Sequence, residues 1–334
     1  MLTFLARTAR GENTILKNDS DDQRLTSMPN EEKLHDPWLV AAWPGMSGVA
    51  ISAGYYLMAK LGMHLLIEFP AAEFFDLEHI EVKDGLIVSR RLPRSRLFLW
   101  NDPNKQHDLI VFIGEAQPPV KGAAFCRRLI EEAKLLGVTR VFTFAAMATQ
   151  MRPKNPSRVF GAAIEGDTLA QFKQLDLNLL ESGTISGLNG VLLGMAAGSG
   201  LSGGCLLGEI PHVFSQIPFP KASLAVLEFF SVMAGIELDL GELQTHAKNV
   251  EKTLEDFLIR MEHTVENIEP EQRHALQSTP ESNPTRLGQK ERQNIDHLFQ
   301  VAREDKSRAY ELKQELDRLG AFGEFEDRFL DLFK

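Results

Sequence analysis

Residues Gly183–Ile210, GTISGLNGVLLGMAAGSGLSGGCLLGEI, decide how this chain is read. They spell a turn, an apolar helix, a glycine-rich turn and a short apolar strand ending in Gly208-Glu209. Asn189–Ala197 is almost wholly apolar, with Gly190 and Gly194 four residues apart. That spacing leaves a smooth helix face where another backbone can approach closely. Cys205–Leu207 has the unbroken apolar character of a strand buried on both faces. The segment therefore belongs at the centre of an α/β core, with Ser186, Asn189 and Glu209 at the edge of a cleft. Gly198–Gly203 matches the dinucleotide pattern G-x-G-x-x-G, but in the wrong context: helix first, strand second. It reads as a tight helix-to-strand turn.

Outward from this segment, the chain has 334 residues, 43% hydrophobic and 25% charged, the balance of a soluble globular protein. A net charge of -10 argues against general nucleic-acid binding, which needs a basic footprint. Cys126 and Cys205 each sit in an apolar run and read as core thiols of a reducing compartment. No apolar run reaches the roughly 18 residues of a membrane span. The N-terminus has too short an apolar core for a secretory signal, so a cytoplasmic location is expected. Three regions follow: a polar, disordered leader over residues 1–35, an α/β core over 36–240, and a helical extension over 241–334 with a flexible linker near 270–290.

Within the core, Trp38–Trp43 is a buried strand leading through Pro44-Gly45-Met46-Ser47-Gly48 into an apolar helix, Val49–Leu61. The backbone N–H groups of Met46–Val49 can hold an anion there, or Ser47 simply caps the helix. Leu65–Phe69 and Arg96–Trp100 read as strands, and Asp84-Gly85 as the turn of a hairpin. This antiparallel patch implies a mixed sheet. Asp108–Ile113, the helix Gly122–Leu136 and the strand Arg140–Phe144 form a right-handed crossover, with small residues Ala145–Thr149 following the last strand. Val159–Ile164 is an edge or return strand, and Pro220–Glu237 is a closing helix with proline in its first turn.

In the extension, Leu243, Ala247, Val250, Leu254, Phe257, Met261, Thr264 and Ile268 alternate spacings of four and three, a heptad seam that Pro270 ends. A second stripe runs from Ile295 to Leu319, weakened by Asp305. The two can pair as an antiparallel hairpin on the core or as a coiled coil between subunits.

The nine histidines form no H-E-x-x-H or other close ligand pair, and there is no Cys-x-x-Cys. No G-x-S-x-G elbow and no P-loop is present. Neither a metal nor a cofactor is expected. Glu68, Glu115 and Glu209 each follow a strand-like run, where α/β proteins place ligands. Glu115 and Glu209, after I-G and L-G, are the better pair, able to grip a hydroxyl or amine, or to act as acid and base. Alternatively they bond neighbouring N–H groups or face solvent.

WLVAAWPGMSGVAISAGYYL, DLIVFIGEAQPP, RVFTFAAMAT, GTISGLNGVLLG and CLLGEIP, in this order, resemble the proteasome assembly chaperone family over about residues 38–243. The matching positions are Gly45, Gly48, Gly114-Glu115, Gly187, Asn189, Gly190 and Gly208-Glu209. The resemblance implies a three-layer α/β/α fold of phosphorylase/hydrolase type, homo-oligomers, often trimers, and usually no catalysis. Some relatives dock on proteasome rings by a C-terminal hydrophobic–tyrosine–any tripeptide. Leu332-Phe333-Lys334 fits the spacing, with phenylalanine in place of tyrosine, or is a helix end whose Phe333 packs on the core.

The expected function is that of a non-enzymatic assembly or interaction protein, a homo-oligomer whose partner is a protein, such as a proteasome-like ring. The alternative is a nucleoside phosphorylase- or hydrolase-like enzyme, or a small-ligand binder. Its cleft would be lined by Gly45, Ser47, Glu115, Ala146, Ser186, Asn189 and Glu209.

Overall fold

In the computed structural model, which describes residues 33–70, 72–76, 81–83, 85–88, 91–266 and 287–334, strand β1 (Trp38–Ala42) lies near the middle of an eight-stranded sheet. Along the chain follow α1 (Val49–Lys60), β2 (His64–Phe69), β3 (Glu81–Lys83), β4 (Leu86–Val88), β5 (Ser95–Trp100) and β6 (Leu109–Gly114). Then come α2 (Gly122–Leu135), β7 (Arg140–Thr149), β8 (Val159–Ala163), α3 (Gly166–Gln174), β9 (Asn178–Leu179), α4 (Gly187–Gly198), β10 (Ser202–Pro211) and α5 (Pro220–Ala234). The sheet order is β2-β5-β6-β1-β7-β10-β8-β9, while β3 and β4 pair apart from it. β6, β1, β7 and β10 run parallel; β2–β5, β5–β6 and β10–β8 pair antiparallel, so the sheet is mixed.

Period-two alternation splits β1 between two layers. Trp38, Val40 and Ala42 pack with α1 and α5, whereas Leu39, Ala41 and Trp43 pack with α2 and α4. This is the expected α/β/α arrangement. β7 runs longer than expected: Ala145–Thr149 continue it and pair in register with Leu207–Pro211 of β10. Cys205–Leu207 is the middle of that ten-residue strand. At Gly208 helix α5 comes so close that an added Cβ would lie 2.7 Å from the Ala222 carbonyl oxygen.

The central position expected for Gly183–Ile210 holds for β10 but only for one side of α4. Leu188, Leu192, Leu193 and Ala196 are buried against α2 and the sheet. The opposite face is open: Val191 is 36% exposed, and nothing lies within 4 Å of a Cβ built on Gly194. The intervening turn leads from helix into strand, so Gly198–Gly203 is no dinucleotide loop.

Beyond the core, α6 (Gly241–Glu266) lays the start of its heptad seam on α5, burying Leu243, Ala247 and Leu254. Farther along, Phe257 and Met261 are 49% and 47% exposed. Pro270, Ile268 and most of the expected linker lie outside the described residues, as does the leader through residue 32. The second stripe is not one helix but two, α7 (Gln289–Glu304) and α8 (Ala309–Arg318), and α9 (Phe322–Leu330) follows it. Asp305 breaks the run because its carboxylate accepts from the Ser307 N–H at 3.0 Å and the Ser307 hydroxyl at 2.6 Å, a cap that starts a new turn. Ile295, Phe299, Leu312, Leu316 and Phe329 share one core with Tyr55 and Tyr56 of α1. α1 is apolar nearly all round, as a helix enclosed on both sides must be.

The last turn, Asp331–Phe333, puts the Phe333 ring 6.2 Å from Phe98 and 5.7 Å from Phe329, fully buried. Phe333→Ala should therefore lower the unfolding free energy, read by urea denaturation, by about 3–5 kcal/mol. A change within about 0.5 kcal/mol, usual for surface positions, would place this ring outside the core.

Candidate functional site at the strand ends

After β1 the chain turns through a 3-10 segment, Met46–Gly48, in which Ser47 and Gly48 have φ of +51° and +63°. Ser47 is not a helix cap. Its N–H donates to the Ser215 carbonyl at 2.9 Å, its hydroxyl to the Phe214 carbonyl at 3.2 Å, and its own carbonyl accepts from the Phe219 N–H at 3.1 Å. The Gly48 N–H is taken by the Gly45 carbonyl and that of Val49 by the Met46 carbonyl. The N–H groups from Ser47 to Val49 are thus consumed within the protein, which removes the expected anion cradle. Ser47 instead ties the β1 turn to the start of α5.

Beside this turn lies a cavity of about 270 Å³, bounded by the end of β1, the middle of β7 and β10, and the start of α4. It gathers Gly45, Ala146, Ser186 and Asn189 of the expected residues, and leaves out Ser47, Glu115 and Glu209. Ser186 makes no side-chain bond to the helix it precedes. Gln117 substitutes for that cap: its Oε1 accepts from the Leu188 N–H at 3.1 Å while its Nε2 donates to the Pro44 carbonyl at 3.2 Å. Gln117 thereby holds the two rims together. It escaped the reading of the sequence, although a polar residue in the loop after a parallel strand was signal enough. Two atoms of residues lining this cavity, Trp43 Nε1 and Asn189 Oδ1, are buried without a partner, the cost of which a bound polar group would relieve.

The two carboxylates expected to act together are apart. Their strands, β6 and β10, are separated by β1 and β7, about 14 Å at about 4.8 Å per strand. Glu209 is buried, and its carboxylate accepts from Arg158 Nε and Nη2 at 2.8 and 2.6 Å and from the Thr149 hydroxyl at 2.7 Å. Glu115 accepts from Arg91 at 2.6 and 3.2 Å and from the Arg94 N–H at 2.8 Å, with Arg96 at 3.6 Å. Glu68 pairs with Arg94 through two bonds of 2.6 Å. Each acid is bound by a guanidinium in fork geometry, a contact that fixes structure. The arginines of the run RRLPRSR also hold Asp327 of α9, through Arg91, Arg94 at 3.1 Å and Arg96 at 2.9 Å. This cluster anchors the C-terminal helices to the sheet.

Leu332 and Phe333 are buried, and Lys334 pairs with Asp331 at 2.7 Å, so the expected docking tripeptide is stowed against its own chain. Among the described residues, no group of three or more His, Cys, Asp or Glu side chains is placed to hold a metal ion, and no helix is long and apolar enough to cross a membrane.

The PAC2 family model matches residues 39–258, well over half of the sequence. The chain belongs to the PAC2 family. The match reaches into α6, while α7–α9 lie beyond it. An uncharacterized protein of Methanocaldococcus jannaschii is 25% identical over 260 residues, 75% of this chain and 91% of that protein. Among solved structures, PbaB of Pyrococcus furiosus, an archaeal proteasome activator, is 22% identical with a TM-score of 0.58, covering 68% of this chain and 96% of PbaB. A proteasome-assembly chaperone homologue of Mycobacterium tuberculosis is 23% identical with a TM-score of 0.57, covering 66% and 94%. These likenesses establish a shared PAC2 fold.

Arg158 holds the Glu209 carboxyl below the usual carboxylate range; burial opposes the shift and Thr149 adds to it. A depressed folded pKa stabilises the fold above the free carboxylate value of about 4.3 and loses that stabilisation as pH falls through the folded value. Arg158→Ala should therefore lower the melting temperature at pH 7, and the gap from wild type should close on acidification below about 4. A gap independent of pH would show that the contact does not act through charge.

Proposed function

We propose that this PAC2 protein acts through its surfaces: a non-enzymatic, chaperone-like, cytoplasmic homo-oligomer that engages a protein partner, a proteasome-like or other ring assembly. The observation that carries this reading is the outer face of α4. Gly187–Gly198 contains no charged residue, yet among the described residues Val191, Gly194 and Ala197 stand exposed on its outer face, with open space over Gly194. An uncharged helix in water is a surface waiting to be covered. The solved relatives named above, a proteasome activator and a proteasome-assembly chaperone homologue, support the class of partner.

Docking through Leu332, Phe333 and Lys334 requires Phe333 to leave its place under Phe98, exposing a ring at a cost of about 1.5–3 kcal/mol. A partner must supply at least that much before the tail contributes affinity.

Gly194→Glu tests the α4 face. The site has open space, and replacing glycine inside a helix adds about 0.5–1 kcal/mol of stability, so the variant folds. Light scattering should find wild type as an oligomer and the variant as a smaller species. An unchanged mass, or a monomeric wild type, would overturn the α4 interface.

A second reading, small-ligand binding in the 270 Å³ cavity, is favoured by the unpartnered Trp43 Nε1 and Asn189 Oδ1. Nucleosides or phosphate should then raise the melting temperature of wild type but not of Asn189→Leu. Equal shifts in both, or none in either, would remove it.

A further inference from the structure

A second cavity, of about 250 Å³, lies where the C-terminal helices meet the core. Tyr55 of α1 and Glu115 after β6 form one side. Lys313 and Asp317 of α8, with Phe322 and Glu326 of α9, form the other, and all four lie past residue 258, where the PAC2 match ends. The cavity is thus a product of the extension.

Its charges do not cancel. Lys313, almost fully buried, donates to Asp317 at 2.5 Å and lies 4.0 Å from the centre of the Phe322 ring and 5.3 Å from that of Tyr55. Glu115 has Arg91 and Arg96. Glu326 is left over. It accepts from the Tyr55 hydroxyl at 2.6 Å, and among the described residues no Lys, Arg or His nitrogen stands within 4 Å of it. Burial raises the pKa of its carboxyl and the Glu115 charge adds to this, while the Tyr55 bond and the more distant charges of Arg91 and Lys313 oppose it. A carboxyl held in this way, in a cavity and beside an aromatic hydroxyl, is arranged as ligand sites are.

The geometry points to this cavity as a binding site for a small organic cation, an alkylammonium whose head pairs with Glu326 and whose chain lies beside Phe322. An arriving ammonium supplies the one charge the site lacks, and a carboxylate ligand would instead meet Glu326 and Asp317. Lys313 does not repel the ligand strongly, because its charge is offset by Asp317. The volume admits a chain of a few carbons. This site is independent of the docking surfaces proposed above.

The test uses the full chain at constant chloride, with n-butylammonium as probe and butanoate and 1-butanol as controls. Butylammonium should raise the melting temperature in a saturable way, and its methylene proton resonances should move under the ring current of Phe322. The controls should do neither. Glu326→Gln preserves shape and an acceptor for Tyr55, and should weaken butylammonium binding at least tenfold. Should that variant not fold, Phe322→Leu keeps apolar volume without the ring, and should weaken binding and abolish much of that shift. No saturable binding of butylammonium to wild type, equal binding of butanoate, or unchanged binding in the folded variant would overturn the assignment.

Discussion

Helix α1 carries leucine, methionine, tyrosine, valine and alanine around its whole circumference, so neither of its sides can face water. The sheet covers one side. The C-terminal helices cover the other, and the rest of the extension follows from that need. Tyr55 and Tyr56 show how the burial is completed without stranded hydroxyls: one donates to Glu326 and the other to the Asp239 carbonyl. Each bond ties α1 to a segment outside the sandwich. The extension is thus a fourth layer, sharing its apolar core with α1 and α5.

Charge does a different job. The acids at the strand ends are where an α/β enzyme would place its chemistry, but here Glu68, Glu115 and Glu209 are each gripped by arginine. Arg91, Arg94 and Arg96 meet Asp327, which couples the sheet edge to α9. Polar groups near the strand ends have mostly become struts. Among the groups left without a partner are Trp43 Nε1 and Asn189 Oδ1 at one cavity, while Glu326 at the other has the Tyr55 hydroxyl but no ion-pair partner among the described residues. Uncovered apolar surface includes Val191 of α4 and, at the far end of the α6 seam, Phe257 and Met261.

Much of this was legible in the residues. The core strands and helices announced themselves by length, apolar continuity and glycine or proline punctuation, and most stand within a residue or two of their expected ends. Gly45, Ala146, Ser186 and Asn189, grouped on the sequence alone, line one cavity. The pairing of Glu115 with Glu209 failed because spacing along a chain says nothing of how many strands lie between two strand ends. Asp305 was seen as a flaw in a stripe; only its bond to Ser307 makes it a break.

By itself, the sequence determined the alternation of strand and helix, the mixed sheet, and the burial of its greasiest segments, because periodicity and turn chemistry are local. It also held, unread, the reason for the fourth layer, since an all-apolar α1 needs cover on two sides. Only tertiary structure decided which acid meets which arginine, which face of α4 stays bare, and that Phe333 lies inside. Those outcomes depend on contacts between residues hundreds of positions apart, such as Tyr55 with Glu326, whose partners no local pattern can name.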